Sequence, residues 1–313
     1  MENEEVKSPG GSLRAYAELV RLPNIFTAIA DVVMGFLFVR EYAPGDAWLL
    51  GMLIAASALL YAGGTVLNDV FDYRVDLEQR PERPLPSGRI SRTAARRLGA
   101  TLLFLGGAAA WLASYFLATY LPGTVATLLA GCILLYDAWA KRTPLGPLAM
   151  GACRMLNVLL GMSVAAFVWR EPEWIVASAI GVYVTGVTWF ARTESRASSR
   201  WQLAASTVVI LGGIGLLALL PSRFDEIQPL LQAQPQRWYL LTGMLALLIG
   251  WRCIRAVFDP HPFFVQTAVR QAIMSIVVLD AAAAFAARGM PAAIGLILLL
   301  IPTLAAGQWI EST

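Results

Sequence analysis

The sequence predicts an all-α fold, a polytopic membrane bundle of nine or ten transmembrane helices. Three observations carry this. Hydrophobic residues make up 58% of the 313 positions and charged residues only 14%, where soluble domains average about 25% charged. The apolar residues fall in long blocks, most of them near the roughly 20 residues that span a bilayer. These blocks show no period-two alternation, which excludes a β-barrel. A net charge of +3 gives no reason to expect nucleic acid as a partner.

In chain order, residues 1–12 are polar and predict a disordered tail, leaving 13–313 as one transmembrane domain. The acidic start is wrong for a secretory signal peptide, so the first apolar block is expected to stay as an anchor. Leu13, Tyr16, Ala17 and Val20 form a stripe at helical spacing opposite Arg14, Glu18 and Arg21, the pattern of a short interfacial helix. Apolar blocks follow at 20–42, 46–69, 92–118, 122–140, 145–168, 173–192, 203–220, 237–257, 264–288 and 291–310. Only Gly289 and Met290 separate the last two, which leaves the total at nine or ten. Cys132, Cys153 and Cys253 stand singly inside apolar blocks, as buried free thiols do. His261, in Asp-Pro-His-Pro, reads as a loop residue, and with no second histidine histidine-based catalysis is not expected.

The loop cations orient the chain. With the N-terminus inside, 18 of the 24 lysines and arginines lie in inside loops, 5 outside, and Arg154 within a span. Seven of the 18 crowd the second inside loop, from Arg74 to Arg97. This asymmetry places the N-terminus on the cytoplasmic side of an integral membrane protein, which in a bacterium is the inner membrane.

The second apolar block runs into Asn68, Asp69, Asp72 and Asp76. If the helix continues, positions 69, 72 and 76 share one face, spread over roughly 10 Å of axis. Three carboxylates near a helix C-terminus repel one another and oppose the macrodipole, so they require a cation. Hard oxygen ligands beside water suit magnesium, which keeps several waters and bridges to phosphate oxygens. A solvated acidic loop is the alternative. In Arg83-Pro-Leu-Pro-Ser-Gly-Arg-Ile-Ser91, the prolines stiffen the loop, Gly88 supplies a turn and Ser91 caps the third span. Arg83 and Arg89 are then candidates to face an anion held by the metal.

Three further places carry chemistry. Arg21-Leu-Pro-Asn24 opens the first span, with Asp31 seven residues after Asn24 on the same face. Tyr136-Asp-Ala-Trp-Ala-Lys141-Arg142 closes the fourth. Its cations suit a helix C-terminus in any case, but a lysine among arginines is also a compact point-charge ligand for phosphate. In the fifth, Arg154, Asn157 and Gly161 share a face. An arginine there needs a carboxylate, phosphate or carbonyls inside the bundle. Asp31 and Asp137 are the carboxylates available to it.

These motifs together resemble the UbiA superfamily of intramembrane prenyltransferases. Asn68-Asp-X-X-Asp72-X-X-X-Asp76 with the Arg83–Ser91 segment resembles its first aspartate-rich motif, and Arg21–Asn24 and Tyr136 with Lys141 match in order and spacing. The resemblance implies a bundle around a central cavity open to lipid and to the cytoplasmic side. There, magnesium and the diphosphate of a polyprenyl donor are bound, the donor ionises, and a small or aromatic acceptor attacks. By position, Asn68, Asp72 and Asp76, with Asp69 beside them, would hold magnesium. Asp72, Asp76, Lys141 and Tyr136 would be catalytic, Lys141 touching the diphosphate and Tyr136 shielding or positioning the cation. Arg21, Asn24, Arg83, Arg89, Arg142, Arg154, Asn157 and Arg192 would serve substrate binding.

One stretch departs from the pattern. Where the family carries a second acidic motif, this chain reads Phe190-Ala-Arg-Thr-Glu194-Ser-Arg-Ala-Ser-Ser-Arg200, so Glu194 is the single acid left for a second ion. Arg192, Arg196 and Arg154 are the cations placed to take over part of its charge. The departure, with Cys153-Arg154 through Asn157, resembles the divergent EboC-like branch. It also leaves open an alternative of another class, a non-catalytic lipid-binding or transport protein on the same fold. A CDP-alcohol phosphotransferase would need an Asp-Gly…Ala-Arg run that the chain lacks.

Overall fold

The computed structural model describes residues 13–165, 169–192, 199–225 and 227–311. Thirteen helices follow one another among them: α1 (Leu13–Leu19), α2 (Leu22–Val39), α3 (Ala47–Gln79), α4 (Arg92–Leu117), α5 (Leu121–Ala138), α6 (Gly146–Met162), α7 (Glu171–Ala191), α8 (Arg200–Ala218), α9 (Pro229–Ala233), α10 (Pro235–Phe258), α11 (Pro262–Arg288), α12 (Met290–Ile297) and α13 (Leu300–Glu311). Nine segments of the described chain are long and apolar enough to cross a membrane, α12 and α13 counting together as one; α6, with 17 residues, is the shorter tenth. All ten apolar blocks are therefore helical.

The expected interfacial helix is α1. Its Arg14 donates to the carbonyl of Ile310 near the end of α13, so both ends of the described chain meet at one face. An even number of crossings produces that arrangement, with α6 counted among them. Large apolar side chains such as Phe104, Tyr115, Leu240 and Leu247 point outward, onto the surface that lipid covers in a spanning bundle.

Two features position the site. The first is the length of α3: 33 residues rise about 50 Å, well beyond a hydrocarbon core of about 30 Å. The excess of about 20 Å is enough for the C-terminal turns of α3, Asn68 through Asp76 on one unbroken helix, to stand outside the apolar layer. The second is the approach of α2 to α6. A Cβ on Gly161 would sit 2.3 Å from the Val32 carbonyl oxygen, and one on Gly35 would sit 2.5 Å from that of Val158. Only glycine permits these backbones to touch, as small residues do between membrane helices. The contact brings Asp31 of α2 beside Arg154 and Asn157 of α6.

The loop after α3 is built as its sequence requires: Gly88 has φ of 75° and Ser91 accepts the Ala94 amide at 3.2 Å as N-cap of α4. His261 caps α11 in the same way, accepting from the Phe263 amide. All three cysteines are free; Cys153 and Cys253 are buried, but Cys132 is only half-buried.

Candidate active site

A cavity of about 280 Å³ opens between α2, α3, α5, α6, α7 and α11. Arg21, Asn24, Asn68, Tyr136 and Asp137 line one end, and Ser57, Arg154 and Asn157 the other. Asn68 and Ser57 are eleven residues apart on α3, so the cavity runs roughly 16 Å along that helix at 1.5 Å per residue. Leu129, Ile133, Val184, Val187 and Ile273 supply apolar walls between the two polar ends.

At the outer end the acidic motif divides into two pairs, each gripping its own cation. Lys141, in the turn after α5, places its ammonium 2.6 Å from Asn68 Oδ1 and 2.8 Å from Asp72 Oδ1. Asn68 and Asp72 are one helical turn apart, so their oxygens converge on one point. Arg83 instead bridges Asp76 at 2.9 Å and Asp69 at 3.5 Å. Arg21 adds a second cation to Asp69 at 3.3 Å. Arg21 itself holds a left-handed backbone, with φ of 51°, which turns α1 into α2 within two residues. Burial disfavours its charge, and Asp69 together with Tyr61 and Tyr136 more than offsets this, raising its pKa.

The mutual repulsion anticipated among the carboxylates is thus answered by the protein's own cations. Of the four motif residues only Asn68 lines the cavity, with Asp72 reached through Lys141. Asp69 and Asp76 are buried against the loop.

At the inner end, Arg154 donates to Asp31 Oδ2 and to Thr27 Oγ1, each at 2.5 Å. Asn157 donates to the same Asp31 oxygen at 2.8 Å and lies 2.7 Å from the Ser57 hydroxyl. Arg154 also stacks over Tyr61, 5.6 Å from the ring centroid. Asp280 of α11, fully buried, lies beside this group. Of the two carboxylates open to Arg154, the fold selects Asp31.

Other residues fall elsewhere than expected. Arg89 does not reach the cavity: it pairs with Glu18 at 2.7 Å and donates to the Glu82 carbonyl, because the loop folds back over α1. Arg142 is largely exposed and touches the Phe71 carbonyl, 3.9 Å from Asp72. Arg192 donates to the Thr143 carbonyl at the same end of the bundle but outside the cavity. Glu194 and Arg196 lie outside the described residues. Sequence reasoning passed over Tyr61, Ser57 and Asp137 as cavity residues. The signal for Asp137 was available: an ionisable group one residue before the end of an apolar span.

Fold and site together define a class: a helical membrane bundle with an internal apolar chamber, polar at both ends and oxygen-rich at the outer one. The model of the UbiA prenyltransferase family matches residues 28–262, three quarters of the chain, and the chain belongs to that family.

Among curated relatives, digeranylgeranylglyceryl phosphate synthase from Sulfurisphaera tokodaii is 40% identical over 95 residues, 30% of this chain and 34% of the relative. The synthase of the same name from Methanopyrus kandleri is 34% identical over 165 residues, 50% of this chain and 57% of that one. The chain thus matches only about a third to just over half of the length of these relatives. A solved structure of a digeranylgeranylglyceryl phosphate synthase superposes with a TM-score of 0.63 at 22% identity, over 91% of this chain and 99% of the other. A UbiA homologue from Archaeoglobus fulgidus, bound to GPP and Mg²⁺, gives 0.64 at 13% identity with the same coverage. At these identities the likeness is one of fold.

Proposed function

We propose that this chain transfers a prenyl group from a prenyl diphosphate to a small acceptor inside the membrane, with magnesium as its cofactor. The observation that carries the reading is the Lys141 ammonium held by Asn68 Oδ1 and Asp72 Oδ1 at the cavity's outer end. Two hard oxygens converging on a cation are a donor pair suited to magnesium, whose remaining positions water and phosphate oxygens fill. Asn68 and Asp72 would hold the ion. Asp69 and Asp76, tied to Arg83, would support the helix that presents them and remain in reach should that loop move.

Bound magnesium would supply charge neutralisation for the leaving diphosphate. The chain's own groups do the rest. Lys141 and Arg21 contribute positive charge at the same end, where developing negative charge on the diphosphate is stabilised. The apolar walls take the prenyl chain and exclude water from the allylic cation. Tyr136, which lines the cavity at that end, would supply an aromatic ring to shield that cation. The relatives' names and the GPP and Mg²⁺ bound to the Archaeoglobus homologue agree with a prenyl diphosphate donor. The charged end faces the cytoplasm on the cation asymmetry of the loops, and residues 13–313 act as one domain.

The test is donor binding by the purified full chain. Labelled geranylgeranyl diphosphate should bind in magnesium and be released by EDTA, and Asp72→Ala should abolish both binding and turnover. Wild-type binding indifferent to EDTA and to Asp72→Ala would overturn the reading.

A further inference from the structure

Asp137 is 2% exposed, lines the cavity, and its Oδ2 has no hydrogen-bond partner among the described residues. The cations around it are committed elsewhere. Lys141, four residues on, gives its ammonium to Asn68 and Asp72, and Arg21 gives its guanidinium to Asp69. Asp69 and Asp72 are acids and donate nothing to it. A buried carboxylate oxygen left unmatched is costly, and since Asp137 lines the cavity, a molecule bound there is placed to match it. That molecule must bring a hydrogen-bond donor. The position is also the useful one, beside Tyr136 and next to the end where the diphosphate would leave.

Resting on the function proposed above, we infer that Asp137 recognises the acceptor as an alcohol, phenol or amine, through its O–H or N–H, and receives that proton during transfer. The C1–O bond to diphosphate breaks to leave the allylic cation, and the acceptor oxygen or nitrogen then forms a bond to its C1. Diphosphate departs with the electron pair of the broken bond, and the acceptor's proton passes to the Asp137 carboxylate. An acceptor whose only nucleophile is an aromatic carbon, with no O–H or N–H to offer, leaves Asp137 unmatched and is disfavoured.

The experiment uses the full chain in detergent with magnesium, a non-ionising thiolo analogue of geranylgeranyl diphosphate, and two probes. These are 1-O-hexadecylglycerol and its di-O-methyl ether, in which methyl groups replace the hydroxyl protons. The wild type should bind the alcohol about tenfold or more tighter than the ether, the worth of a hydrogen bond to a charged group. Asp137→Leu should erase that difference. Asp137→Asn, which still accepts a hydrogen bond but takes no proton, should bind the alcohol and transfer geranylgeranyl to it about 100-fold more slowly. Magnesium half-saturation and donor affinity should not change in either variant.

Equal wild-type affinity for the two probes overturns the inference without using any variant. A shifted magnesium requirement in Asp137→Asn also overturns it, because Asp137 would then serve the metal. A wild type that fails to bind the donor analogue at all defeats instead the function on which the inference rests.

Discussion

Arg154 on α6 and Asp31 on α2, 123 positions apart in sequence, are joined by a 2.5 Å ion pair in which the carboxylate is fully buried. The pair anchors the inner end of the cavity. Removing one partner leaves the other charge buried and uncompensated, which in proteins costs about 3–5 kcal/mol. Asp31→Ala should therefore lower the unfolding temperature of the detergent-solubilised chain sharply. Replacing both residues together, Asp31→Leu with Arg154→Met, should recover much of the loss. A single substitution as benign as the double one would show that the pair has no such role.

On the proposed function, Lys141 should act on magnesium and on diphosphate in opposite senses. Its ammonium occupies the oxygens of Asn68 and Asp72 that a metal ion would use, so in donor-free protein Lys141→Gln should bind magnesium more tightly. With donor present the same change removes a charged hydrogen bond to the diphosphate, and donor affinity should fall about 10- to 100-fold. Calorimetric titration of each ligand separates the two effects. A fall in both affinities would mean that Lys141 does not compete with the metal.

The α2–α6 contact leaves no room for a side chain at Gly161. Gly161→Ala should cost about 1–3 kcal/mol, typical of overpacking, and should weaken donor binding as Arg154 and Asn157 move with α6. Thermal unfolding and donor titration on one preparation test this. Gly107, about which nothing lies within 4 Å of a built Cβ, serves as the tolerant control.

Arg83 clamps the loop 80–91 onto α3 through Asp76 and Asp69. In Arg83→Ala the two buried acids lose their shared cation and the loop loses its tether. Trypsin should then cut after Arg89, which is followed by Ile90, faster than in the wild type. In sealed vesicles it should do so only where the cytoplasmic face is outward. Cleavage from the opposite face would reverse the assigned orientation.

Local physics made much of this protein legible in advance. Hydropathy over windows the width of a bilayer located the nine candidate spans and the shorter α6, and the expected continuation of the second block placed the acidic motif on α3. Cap chemistry placed Ser91. What local pattern could not supply was the choice among partners. Arg154 had two acids open to it and took Asp31, because Gly35 and Gly161 let α2 and α6 meet. Asp137 Oδ2 was thereby left without a hydrogen-bond partner among the described residues.

The acidic motif, one cluster when read along the chain, separates into a pair held by Lys141 and a pair held by Arg83. Arg89, two residues from the α4 cap, turns away to Glu18. The chain by itself determined which segments cross the membrane and which residues carry charge, since both follow from near neighbours and from transfer into lipid. The tertiary structure alone decided which charges meet, because ion pairs spanning a hundred residues are set by helix packing, and packing has no period in the sequence.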